Sequence, residues 1–256
     1  MKERPSFPAR MPASVSAKIA KPSAVRNLPQ GLGMDSSAVR RRMVEKLMAQ
    51  GLSDLLVQQA IGAVERHRFV DSGLANQAYE DTSLPIGLGQ TISKPSVVAR
   101  MIELLRKGVD GRLGRLLEIG TGCGYQAAVL SQLATEVYSI ERLRGLHDKA
   151  RENLRPLRLA NVHLLFGDGM LGYPAGAPYA AIIAAAGGEA IPQAWIDQLA
   201  VGGRLIAPVV GKASSADLKT VANKGQSLMV LDKTAQGVRQ TVLEAVHFVP
   251  LKSGVA

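Results

Sequence analysis

Apolar residues recur at four-residue spacing soon after Met34: Val39, Met43 and Leu47, with Arg40, Arg41 and Arg42 among them, predict an amphipathic helix. Ser53 is a fitting N-cap for a second helix whose apolar face holds Leu56, Ala60, Ile61 and Val64. Residues 69–93 mix Pro, Gly, Asp and Ser without a sustained period, so they read as a long irregular connection, and long ordered loops tend to carry function. Pro95 then opens a helix at the position where its fixed φ and missing N–H cost least. Val98, Met101, Ile102 and Leu105 supply the buried face, and Gly108 ends it.

Beyond Gly108 the period shortens. Apolar runs at 115–119, 136–140, 162–166, 180–184 and 204–210 alternate with helical stretches, which predicts a parallel sheet with helices on both faces. Two later runs, 227–231 and 241–249, flank a turn-rich stretch and close the sheet as an antiparallel edge. The expected architecture is therefore α/β: a Rossmann-like, doubly wound, mostly parallel seven-stranded sheet with an N-terminal helical segment.

Composition narrows this picture. A chain of 256 residues with 46% apolar content suits one large domain, placed at 34–256. Residues 1–33 hold six basic residues against Glu3 alone, about half of the net charge of +10, in a Pro-, Ser- and Ala-rich segment without periodicity. They read as a disordered basic tail, and Met34 is a candidate alternative start. No apolar run reaches the roughly 18–20 residues that span a bilayer, so no membrane partner is expected. Lone Cys123 makes no internal disulfide and joins no metal cluster, which is compatible with a reducing compartment.

The densest chemical signal is Leu116-Leu117-Glu118-Ile119-Gly120-Thr121-Gly122-Cys123-Gly124-Tyr125, an apolar strand running into a glycine turn and then a helical stretch. Glycines there let the backbone turn sharply and approach a ligand. Glu141 ends the next strand, 21 residues after Gly120, where a carboxylate can accept both hydroxyl protons of a ribose. The G-x-G-x-G spacing departs from the dinucleotide fingerprint, which disfavours NAD. The loop, with Glu118 before it, resembles the first motif of class I S-adenosylmethionine methyltransferases. Gly167-Asp168-Gly169 is similar to another motif of that class, in which the acid meets the adenine amino group. Cofactor contacts are thus expected from Glu118, Gly120, Gly122, Gly124, Glu141, Asp168 and Gly169. Plainer roles remain open: Glu118 as a brace of the loop, Asp168 as a turn residue.

A second region bears on the methyl acceptor. Arg68-Phe69-Val70, Ala78-Tyr79-Glu80-Asp81, Leu84-Pro85-Ile86-Gly87 and Gly89-Gln90-Thr91-Ile92-Ser93 with Pro95 resemble the hallmark segment of the protein-L-isoaspartate O-methyltransferases. Phe248-Val249-Pro250-Leu251 matches the same family, so the likeness runs from about Met34 to Leu251. Departures include Cys123 in place of a common Ser and Ala180 in place of a usual Asp.

The resemblance implies methyl transfer from S-adenosylmethionine to the free α-carboxylate of L-isoaspartyl residues in damaged proteins, the first step of repair, with S-adenosyl-L-homocysteine as product. It implies a cytoplasmic monomer, acceptor contacts at Thr91, Ile92 and Ser93, and catalytic positioning by Ser93. A carboxylate is ionised at neutral pH and needs no general base. His67, His147, His163 and His247 are accordingly read as packing or surface residues, and no metal is expected. Ser93 could instead be only the N-cap of the helix at Pro95. Two rival functions stay open: a class I enzyme acting on nucleic acid or a small molecule, and a cofactor-binding protein without turnover. The low aromatic content, 4%, offers few stacking platforms for nucleic acid.

Overall fold

The computed structural model describes residues 37–211 and 225–256; the expected tail at 1–33 lies outside the described residues. Helices α1 (Ser37–Ala49) and α2 (Leu55–Ala63) come first, then the short strands β1 (Leu84–Gly87) and β2 (Gln90–Ile92). The alternating part follows as α3 (Pro95–Arg106), β3 (Leu113–Ile119), α4 (Tyr125–Leu133), β4 (Ala134–Glu141), α5 (Arg144–Leu154), β5 (Val162–Phe166), β6 (Tyr179–Ala184), α6 (Gln193–Gln198) and β7 (Leu199–Val210). Strands β8 (Gln226–Thr234) and β9 (Gly237–Val246) complete it.

The main sheet has seven strands in the order β5-β4-β3-β6-β7-β8-β9. The first five are mutually parallel, and β8 and β9 pair antiparallel at the far edge. Neighbouring residues on the central strands divide between two apolar clusters: Leu116, Ile183 and Ile206 in one, Leu117, Ile182 and Leu205 in the other. Both faces of the sheet are therefore buried, which is why these strands read as continuous apolar runs. The chain leaves β3 toward β4 on one side while β6 lies on the other. That is the topological switch point, where open α/β sheets bind ligands at the carboxyl ends of their strands.

Three expectations need correction. The N-cap of α2 is Asp54, whose carboxylate accepts from Leu56 N and Val57 N, while the Ser53 hydroxyl and N–H both donate to Glu103. On that helix Val57 is buried in place of Leu56, which faces outward, while Ala60, Ile61 and Val64 are buried as expected. The connection expected at 69–93 is not irregular throughout: β1 and β2 form an antiparallel hairpin turning through Gly87, Leu88 and Gly89, all at positive φ. Among the described residues no helix is long and apolar enough to cross a membrane, and no cluster of metal-ligating side chains occurs.

Candidate active-site cleft

The glycine turn after β3 is held from below. Gly120 N and Thr121 N both donate to Ile140 O, and all three glycines sit at positive φ: Gly120 at 89°, Gly122 at 57° and Gly124 at 91°. Residues other than glycine rarely adopt such angles. A Cβ on Gly122 would come within 3.3 Å of Ile86 Cδ1, so glycine there also keeps the turn clear of the β1–β2 hairpin.

Glu141, at the end of β4, is buried and lines the cleft above this turn. Its Oε2 accepts from Gly122 N at 2.9 Å and its Oε1 from Leu143 N at 2.9 Å. Each carboxylate oxygen has a second lone pair, so hydroxyl donors from a ligand can still be accepted.

The opposite wall comes from the hairpin. Lys149 on α5 donates to Ile86 O at 2.9 Å, and a Cβ on Gly145 would lie 3.1 Å from Leu88 Cδ1, so the hairpin tip rests against α5. Thr91, Ile92 and Ser93 face the cleft from β2 and the turn after it. The cleft volume is about 420 Å³, within the usual range for small-molecule sites, roughly 300–1,000 Å³.

Seven of the ten sequence-predicted residues line this one cleft: Thr91, Ile92, Ser93, Gly120, Gly122, Glu141 and Gly169. The other three do not. Glu118 is completely enclosed behind the turn, where its Oε1 accepts from Gln126 Nε2 (2.9 Å) and its Oε2 from Ser139 Oγ (2.5 Å). Ser139 in turn meets Thr121 Oγ1 at 2.6 Å, so Glu118 braces the loop through its neighbours. Burial raises its pKa to about 7, opposed by the Ser139 and Gln126 hydrogen bonds and reinforced by the charge of Glu141. Gly124 faces α5 instead of the cleft: a Cβ there would meet Leu154 Cδ1 at 3.0 Å.

Asp168 stands at the rim with both oxygens engaged, Oδ1 by Met170 N at 2.8 Å and Oδ2 by Gly254 N at 2.6 Å. The second bond comes from the C-terminal segment, three residues past the Phe248-Val249-Pro250-Leu251 stretch. Leu251 N donates to Gly187 O and Arg142 Nε to Gly254 O. Ala256 bonds Arg142 O and Arg144 N, so the chain end is stitched to the start of α5. Val249, Pro250, Leu251 and Lys252 line the cleft as it passes.

Ser93 is not a helix cap. The N-cap of α3 is Lys94, and the helix N–H of Ser96 donates to Asp81 Oδ1 at 2.9 Å. That helix N–H is therefore already bonded within the fold. The Ser93 hydroxyl makes no hydrogen bond to another side chain or backbone group among the described residues, while Ser93 O accepts from Arg66 Nη2 at 2.8 Å. Cys123 also lines the cleft, with its thiol pushed up to about 11 by burial, so it stays protonated. His67 meets the Tyr79 hydroxyl, His147 packs on Phe166 and His163 stacks on Tyr138; none of these three lines the cleft.

The cleft residues suit a nucleoside that carries a positive charge. A buried carboxylate with spare lone pairs faces inward, and Gly120 and Gly122 in the turn beneath it let the backbone approach a ligand closely. A neighbouring serine hydroxyl is available to an acceptor group.

Known proteins similar to this chain share one family description. A family model described as protein-L-isoaspartate(D-aspartate) O-methyltransferase matches residues 38–256. The protein-L-isoaspartate O-methyltransferase of Methylibium petroleiphilum is 61% identical over 228 residues, covering 88% of this chain and 81% of the relative. That of Leptothrix cholodnii is 54% identical over 255 residues, covering 98% and 85%. A solved protein-L-isoaspartate O-methyltransferase superposes with a TM-score of 0.72 at 28% identity, covering 84% of this chain and 67% of that one. A Plasmodium falciparum structure in complex with S-adenosyl-L-homocysteine gives 0.70 at 22% identity, covering 83% and 98%, a likeness of fold.

Proposed function

This chain belongs to the protein-L-isoaspartate(D-aspartate) O-methyltransferase family, and from that premise we propose that its cleft holds S-adenosylmethionine against the glycine turn and receives an L-isoaspartyl α-carboxylate at Ser93. It is an S-adenosylmethionine-dependent protein carboxyl O-methyltransferase acting on isoaspartyl residues of damaged proteins. The observation that carries the site assignment is the shared cleft: Thr91, Ile92 and Ser93 face the same space as Gly120, Gly122 and Glu141.

When bound, the cofactor supplies an electrophilic methyl group on a sulfonium. The chain's own work is to orient and enclose. Glu141 accepts hydrogen bonds from the ribose hydroxyls while it holds the turn through Gly122 N and Leu143 N. Gly120, Gly122 and Gly169 leave room for close approach. Asp168 would meet an adenine amino group with a remaining lone pair, since each of its oxygens already accepts one backbone N–H. Gly124 and Glu118 act indirectly, by shaping and bracing the loop.

Ser93 has an uncommitted hydroxyl at the acceptor wall. Donating it to one carboxylate oxygen fixes the orientation of the other, and orientation of two bound reactants accounts for several kcal/mol of barrier lowering. No base is required for an acceptor that is already ionised. The same reading has the enzyme work as a cytoplasmic monomer without a nucleic-acid partner. Lone, buried Cys123 is compatible with a reducing compartment, and the low aromatic content, 4%, offers few stacking platforms for nucleic acid.

Ser93→Ala tests the assignment. Since that hydroxyl has no hydrogen-bond partner among the described residues, the variant should melt like the wild type and bind S-adenosylhomocysteine equally well. Its catalytic efficiency on an isoaspartyl peptide should fall about tenfold to hundredfold, from the loss of one donor to a charged acceptor. Ser93→Thr should retain more activity than Ser93→Ala. Full activity in the folded Ala variant would remove Ser93 from the site, and an equal loss of cofactor binding would move it to the nucleotide side.

A further inference from the structure

Arg66 stands outside every residue assigned so far. It opens the 3-10 turn Arg66–Phe69 after α2, and its side chain is fully enclosed. Nε donates to Ala78 O at 2.8 Å, Nη2 to Ser93 O at 2.8 Å, and the guanidinium lies 4.8 Å from the centre of the Tyr125 ring. Ser93 and Tyr125 both line the cleft. Nη1 and the Tyr125 hydroxyl are both buried near each other, and neither makes a well-formed hydrogen bond among the described residues.

A guanidinium is charged at any pH a protein survives. Desolvation works against that charge here, although Tyr125, Cys123 and Asp81 each favour it. No carboxylate forms an ion pair with Arg66 among the described residues, and the nearby Asp81 carboxylate is bonded to Ser96 N. Enclosing a cation with no anion paired to it opposes folding, and its hydrogen bonds to two backbone carbonyls and its contact with the Tyr125 ring offset only part of that cost. A chain that keeps this arrangement directly behind Ser93 has a reason to do so if an anion enters the cleft.

We propose that Arg66 is the positioning residue that fits the cleft to a free carboxylate. It tethers Ser93 from behind through the backbone carbonyl, and its unpaired charge makes an ionised acceptor bind better than a neutral one of the same shape. The proposal rests on the reading that the acceptor carboxylate is received at Ser93. It also assigns a specificity: free isoaspartyl acids are selected over their amides and over the ester product, which helps the methylated peptide to leave.

The test compares two peptides that differ only at the isoaspartyl α-carboxyl, one a free acid and one a carboxamide. Their binding is measured by calorimetry on the full chain saturated with S-adenosylhomocysteine. The wild type should bind the acid on the order of tenfold tighter than the amide, as expected for one charge in a partly desolvated site. Arg66→Met should abolish most of that ratio, and Arg66→Lys should keep more of it. A tether with no electrostatic part would weaken both peptides alike and leave the ratio unchanged.

An unchanged ratio in a folded Arg66→Met protein that still binds S-adenosylhomocysteine overturns the proposal. If the wild type itself neither prefers the acid nor methylates it, the reading of the site fails first. Should the variants not fold, the wild type still decides by NMR. The Arg66 side-chain N–H signals must move on adding the acid and stay in place with the amide, and the opposite result overturns the idea.

Discussion

Replacing Glu118 with Gln should stabilise the protein above neutral pH, and by an amount the structure sets. Glu118 is fully enclosed, and burial lifts its pKa from the ordinary 4.5 to about 7. A carboxyl whose folded value is raised contributes stability that is complete below about 4.5. That contribution declines as pH climbs toward about 7 and is gone above it, because the native state then holds an unwelcome buried charge. Each pH unit in that window removes about 1.4 kcal/mol, so the wild type gives up about 3 kcal/mol across it. The Gln side chain mimics the protonated acid. Its oxygen accepts from Gln126 Nε2 as Oε1 does, and its amide donates to Ser139 Oγ, which can donate onward to Thr121. Urea denaturation at intervals from pH 5 to pH 8 should show two curves close together at the acid end and about 3 kcal/mol apart at the alkaline end, with Glu118→Gln the more stable. Affinity for S-adenosylhomocysteine at pH 6 should be unchanged, since Glu118 does not line the cleft. Parallel stability curves would mean that Glu118 does not titrate in this window, and weaker cofactor binding at every pH would return it to the ligand's first contacts.

Further outcomes follow from the same contacts. Glu141→Ala should weaken S-adenosylhomocysteine binding by about 1.5–3 kcal/mol in calorimetry, since it removes an acceptor of ligand hydroxyls and the anchor of Gly122 N. Unaltered affinity would unseat Glu141 from the site. Deleting Gly254–Ala256 unties the segment that lines the cleft at residues 249–252 from Arg142 and Arg144, so S-adenosylhomocysteine should dissociate several-fold faster in stopped flow while the melting temperature barely moves. An unchanged dissociation rate would leave the C-terminal segment a passive cover. A chain begun at Met34 should keep both its melting temperature and its turnover on short peptides, because residues 1–33 have no apolar pattern to bury; loss of either would assign that segment a structural or functional part.

The strands of the alternating region were legible because burial on both faces leaves continuous apolar runs bounded by glycine and helical stretches. Residues 162–166 coincide with β5, and the glycine turn falls where strand meets helix. The β1–β2 hairpin was not legible: its strands span four and three residues, contain Pro85 and turn through an unusual Gly-Leu-Gly corner. Asp54 and Ser53 are both good caps by type, and only the reach of Glu103 decides between them. Glu118 and Asp168 illustrate a different limit. Their residue type and spacing identify the loop correctly, but whether a carboxylate looks into the cleft depends on Ser139, Gln126 and Gly254, which are distant or unremarkable in sequence. Arg66 is the sharpest case. Two residues from it, Arg68 is half exposed and pairs with Glu65, and nothing in the linear sequence separates the two.

The most direct measurement is the formation of base-labile methyl esters from labelled S-adenosylmethionine on an isoaspartyl peptide, its aspartyl twin and an RNA of similar length. The account predicts label on the isoaspartyl peptide, little on the twin and none on RNA. Equal labelling of the two peptides, or label on RNA alone, would contradict it.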